Sequence, residues 1–303
     1  MQWKGVMPAM TTPFDEKLKV DWSFVKRHAK WLQANGCSGI VCLGSLGEAA
    51  ALTFDEKIRI VRDVVSTVSP TVPVVGAVSA FSTAEAVNLA KALAESGAKG
   101  LMILPPYVYR GDWRETKEHM AAILRATSLP AMLYNNPVAY GTDFIPEQIH
   151  ELASEFDNLV AVKESSTDVR RVTAIRALLG DRLAIFVGVD DAIVEGIEAG
   201  AVGWIAGLVN AFPRESVELF NLAKNGDKQS AFDLYRWFLP LLRMDTVSKF
   251  VQLIKLVQEE VGVGSACVRP PRLQIEGFEL AEAKELIAKS MRNHPKEFQS
   301  AAF

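Results

Sequence analysis

Leu159-Val160-Ala161-Val162-Lys163-Glu164-Ser165 is a short apolar run that stays free of polar residues until Lys163. It lacks the alternation of a half-buried strand and suits a strand covered on both faces. Similar runs lie on either side of it. Upstream they begin at Val6 (VMPAM), Gly39 (GIVCLGS), Val72 (VPVVGAVSA), Gly100 (GLMILPP) and Ala131 (AMLYNN), and downstream at Ala184 (AIFVGVD) and Gly203 (GWIAGLVN). Successive starts are 19 to 33 residues apart. Helical patterns fill the gaps, at residues 24–34, 83–96, 146–156 and 169–179. Thr83 is the expected cap of the second, with Glu85 in its first turn, and Gly180 ends the fourth. Strand and helix alternate, so the crossovers are right-handed. Eight such units predict an α/β protein, a closed (β/α)8 TIM barrel, over residues 1–224. A doubly wound sheet would want a glycine-rich turn after the first strand, where Thr11-Thr12-Pro13-Phe14 stands instead.

Beyond Asn210 the pattern changes. Residues 214–224, 228–242, 248–261 and 280–291 read as helices, the first positioned to complete the barrel. Residues 225–303 carry no strand signal and form a C-terminal helical extension packed on the barrel, on a neighbouring subunit, or on both. The whole chain has 303 residues, 49% hydrophobic and 23% charged, ordinary for a globular protein. Its net charge of −3 gives no basic footprint for nucleic acid and no attraction to an anionic membrane. No apolar run is long enough to span a bilayer, and the N-terminus lacks the apolar core of a signal peptide. Cys37, Cys42 and Cys267 are too few and too scattered for a disulfide framework, which predicts a reducing, cytoplasmic setting.

Chemistry in such a barrel sits where the strands end. Lys163 ends the sixth run, near the mouth and short of water, where desolvation disfavours the ammonium. A neutral amine there can form an imine with a carbonyl. The alternative is a lysine that snorkels to solvent or pairs with Glu164. Tyr134 ends the fifth run and could face Lys163 across the mouth as a proton relay, or simply pack with its hydroxyl on backbone. In Gly44-Ser45-Leu46-Gly47-Glu48 the glycines admit a close ligand, and the Ser45 hydroxyl with exposed amides could hold a carboxylate. Gly188-Val189-Asp190-Asp191 ends the seventh run. Asp190 could bind a substrate hydroxyl or cap the next helix, and capping is the commoner use. His28, His119, His150 and His294 share no metal-ligand spacing, so no metal is expected. Phe232, Trp237 and Phe238 read as core or subunit interface, and residues 110–114 as a solvated loop near the mouth.

Taken together these motifs resemble the dihydrodipicolinate synthase and N-acetylneuraminate lyase family. The resemblance runs from Gly5-Val6 and Thr11-Thr12-Pro13-Phe14 through Pro105-Pro106-Tyr107, Tyr134-Asn135-Asn136-Pro137 and Val162-Lys163-Glu164-Ser165-Ser166 to Lys255 and Arg269-Pro270-Pro271. It implies a barrel with a helical extension, usually a homotetramer. It also implies no cofactor, and a lysine Schiff base with a 2-oxo acid or a cyclic imine carboxylate. By position, Lys163 is the Schiff-base lysine and Tyr134 the proton relay. Ser45 with the Leu46 amide forms the carboxylate site, and Gly188 and Asp190 join them as substrate-binding residues.

Departures from the synthase pattern shift the expected reaction. Leu46 replaces a second hydroxyl residue, Val108 a tyrosine, and Ala139 an arginine that binds a second carboxylate. Each lost polar contact is worth about 1–3 kcal/mol. The same segments look like a bacterial branch of hydroxyproline breakdown. There 1-pyrroline-4-hydroxy-2-carboxylate is dehydrated and deaminated to 2,5-dioxopentanoate. The rival readings are a pyruvate-forming aldolase, a sugar-acid dehydratase or a synthase-like enzyme on the same lysine. Further off stands a barrel that binds a 2-oxo acid without turnover.

Overall fold

The computed structural model describes residues 1–298; residues 299–303, the end of the expected extension, lie outside the described residues. The eight apolar runs form eight parallel strands: β1 Gly5–Pro8, β2 Ile40–Cys42, β3 Val74–Val78, β4 Gly100–Ile103, β5 Ala131–Asn135, β6 Leu159–Glu164, β7 Ala184–Val187 and β8 Gly203–Ala206. Their order in the sheet is β1-β8-β7-β6-β5-β4-β3-β2. A bridge from Ala9 to Val41, with the Met10 N–H donating to the Val41 carbonyl at 2.8 Å, joins the two ends into a barrel. Almost every strand residue is buried, which is why the runs are continuous rather than alternating.

The helices are α1 Trp22–Ala34, α2 Phe54–Thr67, α3 Thr83–Glu95, α4 Trp113–Ala126, α5 Pro137–Tyr140, α6 Pro146–Glu155, α7 Arg170–Leu179, α8 Ile193–Glu198, α9 Pro213–Asn225, α10 Lys228–Leu242, α11 Phe250–Glu260 and α12 Gly277–Arg292. Their starts follow from side chains that satisfy free N–H groups. Thr53 and Asp112 each form a capping box, with Glu56 and Glu115 respectively. Two expectations change here. Ser82, not Thr83, caps α3, accepting from the Glu85 N–H at 3.2 Å, while the Thr83 hydroxyl meets His119 Nδ1 at 2.9 Å. The expected loop at 110–114 is in part the start of α4: Asp112 is its cap, and the Trp113 indole donates to Glu151 at 2.8 Å.

Helix α9 packs beside α8 and against β1, and so sits where the last helix of the ring belongs. The later helices return over the barrel. Phe238 is fully buried edge-on to Phe212, and Trp237 stacks on Phe238 at 5.0 Å, whereas Phe232 keeps 37% of its surface exposed. Helix α11 is tied to the mouth by a buried ion pair. Lys255 Nζ reaches Glu48 Oε1 at 2.8 Å and the Thr12 carbonyl at 2.9 Å, above the Phe14 ring. The second oxygen of Glu48 accepts from the Arg269 N–H at 3.0 Å. Burial draws the Lys255 ammonium below its ordinary range, and Glu48 opposes that pull.

Candidate active site

A cavity of about 560 Å³ opens at the C-terminal ends of the strands. Lys163, Tyr134, Ser45, Leu46 and Gly188 all line it. Lys163 is 5% exposed. Strand register sets it directly beside Tyr134, on the neighbouring strand rather than across the mouth as expected. Its Nζ lies 4.3 Å from the centre of the Tyr134 ring, over the ring face. Adjacent strand residues point to opposite faces, and Glu164 does not pair with Lys163. Its two carboxylate oxygens accept instead from Asn135 Nδ2 at 3.0 Å and the Ser166 N–H at 2.6 Å. Burial nonetheless raises the Glu164 carboxyl above its usual range.

The Tyr134 hydroxyl accepts from Asn136 Nδ2 at 2.9 Å. Tyr140 stands edge-on to the Tyr134 ring at 5.8 Å, and Tyr107 follows at 5.9 Å from Tyr140. The Tyr140 and Ser45 hydroxyls are hydrogen-bonded to each other. Burial, reinforced by Tyr134, pushes the Tyr140 phenol well above its ordinary range, so it holds its proton. Tyr140 was not singled out from the sequence as a site residue. The available signal was a one-turn helix: Asn136 caps it by accepting from the Ala139 N–H at 3.0 Å, Pro137 opens it, and Gly141 at φ 71° ends it. That turn folds Tyr140 back into the cavity.

Gly188 is where backbone must come close. A Cβ added there would stand 1.9 Å from Ser165 Oγ and 2.6 Å from Lys163 Cε. Gly188→Ala is therefore expected to displace Lys163. Overpacking of this kind costs about 1–3 kcal/mol, and a misplaced reacting group costs about 10²-fold in rate. Paired measurements of kcat and Tm check this: kcat should fall in well-folded protein.

Asp190 takes neither role expected of it. It is fully buried and absent from the cavity wall, and it caps no helix through its side chain. Its carboxylate ties the end of β7 to β8, accepting from Trp204 Nε1 at 3.2 Å, the Gly207 N–H at 3.1 Å and the Leu208 N–H at 3.0 Å. Burial pushes its pKa up to about 7 against the pull of the Leu208 N–H. Two fully buried polar atoms in the wall have no hydrogen-bond partner among the described residues: Ser165 Oγ and Asp245 Oδ1. Leaving a buried group unsatisfied costs about 1–3 kcal/mol. Asp245 and Arg272 come to the wall from the segments beyond α10, where sequence reading placed no chemistry. Among the described residues no three His, Cys, Asp or Glu side chains are grouped to hold a metal ion.

A parallel barrel whose mouth holds a sheltered lysine amine beside a tyrosine defines a class of barrel enzymes acting on small molecules. The chain belongs to the Dihydrodipicolinate synthetase family, whose model matches residues 2–290. It is thus an enzyme of that family, a lyase of the class I aldolase type. It is 30% identical to 4-hydroxy-tetrahydrodipicolinate synthase of Methanothrix thermoacetophila, across 95% of this chain and 97% of the relative. The solved 4-hydroxy-tetrahydrodipicolinate synthase of Methylacidiphilum fumariolicum SolV superimposes with a TM-score of 0.92 at 27% identity, across 96% of this chain and 97% of that one. The chloride-inhibited dihydrodipicolinate synthase of Acinetobacter baumannii complexed with pyruvate gives 0.90 at 27%, across 95% and 99%.

Proposed function

We propose that Lys163 forms a Schiff base with its reactant, and that the reaction is the dehydration and deamination of 1-pyrroline-4-hydroxy-2-carboxylate to 2,5-dioxopentanoate. The observation that carries the imine is the Lys163 amine itself, which is buried, bonded to no carboxylate and directed over a tyrosine ring in the cavity at the barrel mouth. The pyruvate complex of the Acinetobacter relative fits the same chemistry.

The relatives are named synthases, but three positions favour a different reactant. Leu46 and Ala139 give the cavity apolar surface where the synthase pattern has a hydroxyl and an arginine, and Val108 stands 67% exposed where it has a tyrosine. In this reading Lys163 attacks C2 of the cyclic imine and the ring opens to leave an amino group at C5. The protonated imine acidifies C3, Tyr134 takes the C3 proton, and the C4 hydroxyl leaves as water. Tautomerisation puts an imine at C5, which hydrolyses to ammonia and the oxo acid. Ser45, Leu46 and Gly188 surround the bound acid.

The reading includes a homotetramer in a cytoplasmic setting. Exposed Phe81 and Tyr109 near the mouth offer apolar surface for subunit contact. The buried thiols of Cys37 and Cys42, both driven up by burial and the latter to about 12, suit structural rather than reactive roles. No helix among the described residues is long and apolar enough to cross a membrane.

The deciding experiment offers the enzyme 1-pyrroline-4-hydroxy-2-carboxylate while following ammonia, and 4-hydroxy-2-oxoglutarate while following pyruvate. A parallel assay reads formation of 4-hydroxy-tetrahydrodipicolinate. Ammonia release is expected with the first reactant. Pyruvate release alone would make the enzyme an aldolase, and product in the third assay alone would make it a synthase.

A further inference from the structure

The turn after α10, Arg243–Asp245, carries Asp245 from the helical extension into the cavity wall. Its carboxyl presses on Gly207 just beyond β8, where an added Cβ would stand 2.1 Å from Oδ1. Gly207 thus lies between two carboxyls that are treated very differently. Asp190 receives the N–H groups of Gly207, Leu208 and Trp204, while Oδ1 of Asp245 is buried and receives none. A native structure seldom leaves such an atom unsatisfied without a purpose.

The charges acting on Asp245 are Lys163, which favours its ionised form, and Asp190 and Asp191, which oppose it. Burial is the largest influence, and the carboxyl is raised well above its usual range. A carboxyl that keeps its proton is a hydrogen-bond donor as well as an acceptor. It shares the cavity with the lysine amine and is supplied by no strand of the barrel.

The geometry points to Asp245 as the general acid that removes a hydroxyl from the second carbon beyond the imine carbon. This inference rests on the Schiff base at Lys163. Its substrate class is 2-oxo acids, or their cyclic imines, that carry such a hydroxyl. Once the C3 proton has left, the enamine pair between C2 and C3 moves to form C3=C4 and the protonated C=N at C2 is restored. The C4–O bond breaks with its electrons on oxygen. The Asp245 proton moves to that oxygen, so water departs and Asp245 becomes a carboxylate. That carboxylate then takes a proton from C5, the C–H pair enters the conjugated chain, and the acid is regenerated.

Asp245→Asn and Asp245→Glu test this in the full chain. Three readouts are needed: borohydride trapping of pyruvate located by peptide mass, deuterium exchange into the pyruvate methyl group, and ammonia release from 1-pyrroline-4-hydroxy-2-carboxylate. Asp245→Asn should stay within about threefold of wild type in trapping and exchange, while ammonia release falls about 10²- to 10⁴-fold. Asp245→Glu should recover part of that loss. Ammonia release near the wild-type rate in Asp245→Asn would overturn the inference. So would joint loss of trapping, exchange and release, because Asp245 would then merely support the site. Cleavage by the wild type to pyruvate and an aldehyde, without loss of water, would overturn the acid role as well. Failure of wild-type protein to trap at Lys163 would instead overturn the Schiff-base reading beneath it.

Discussion

Lys163→Ala should reduce turnover by about 10⁴-fold or more, because in the proposed reaction it deletes the atom that becomes bonded to the reactant. The same change should abolish the mass added to the peptide holding Lys163 when borohydride is supplied with pyruvate. The loss should come without unfolding. Lys163 Nζ donates no hydrogen bond to the described residues and rests on the Tyr134 ring, so its removal opens space but strands no partner. Circular dichroism and Tm should stay close to wild type. A Lys163→Ala protein that still turned the reactant over at the normal rate, or a borohydride adduct found on another lysine, would move the reaction elsewhere.

Lys255→Met should have the largest effect on stability. The Lys255 and Glu48 side chains are 1% and 0% exposed, and their 2.8 Å contact joins α11 to the loop after β2. Removing the cation leaves a buried carboxylate that keeps the Arg269 N–H hydrogen bond and the more distant pull of the Arg269 guanidinium. Breaking such a pair costs about 3–5 kcal/mol, a fall of about 5–8 °C in Tm for a chain of this size. Replacing both partners with apolar residues, as in Glu48→Leu with Lys255→Met, should recover part of the loss because no lone charge stays inside. Thermal unfolding of the single and double variants reads this directly. A single variant as stable as wild type would mean that water reaches the pair.

Much of this arrangement is legible in the sequence. Strands covered on both faces must be apolar throughout, so eight uninterrupted runs give the barrel its count and order. The same rule makes a lysine at the end of Val160-Ala161-Val162 conspicuous, and it drew attention to Tyr134 on the preceding run. Local choices were harder. Ser82 and Thr83 are adjacent hydroxyl residues and only backbone geometry decides which one caps α3. Asp190 was misread because its partners, Trp204, Gly207 and Leu208, are 14 to 18 residues further along and meet it only when β7 and β8 lie side by side. Asp245 was missed because its segment is helical, and a rule that looks for chemistry at strand ends has nothing to say about a turn arriving from outside the ring.

The arrival of Asp245 and Arg272 from beyond the ring has a consequence for how such an enzyme diverges. In the proposed reaction the covalent step belongs to β5 and β6, deep within a ring that tolerates little change. Selection among reactants can be rewritten in a segment whose backbone bonds do not hold that ring shut. A chimera that keeps this barrel and borrows a relative's last helices would inherit the old attachment chemistry with a new appetite, provided the graft brings its own cation to meet Glu48.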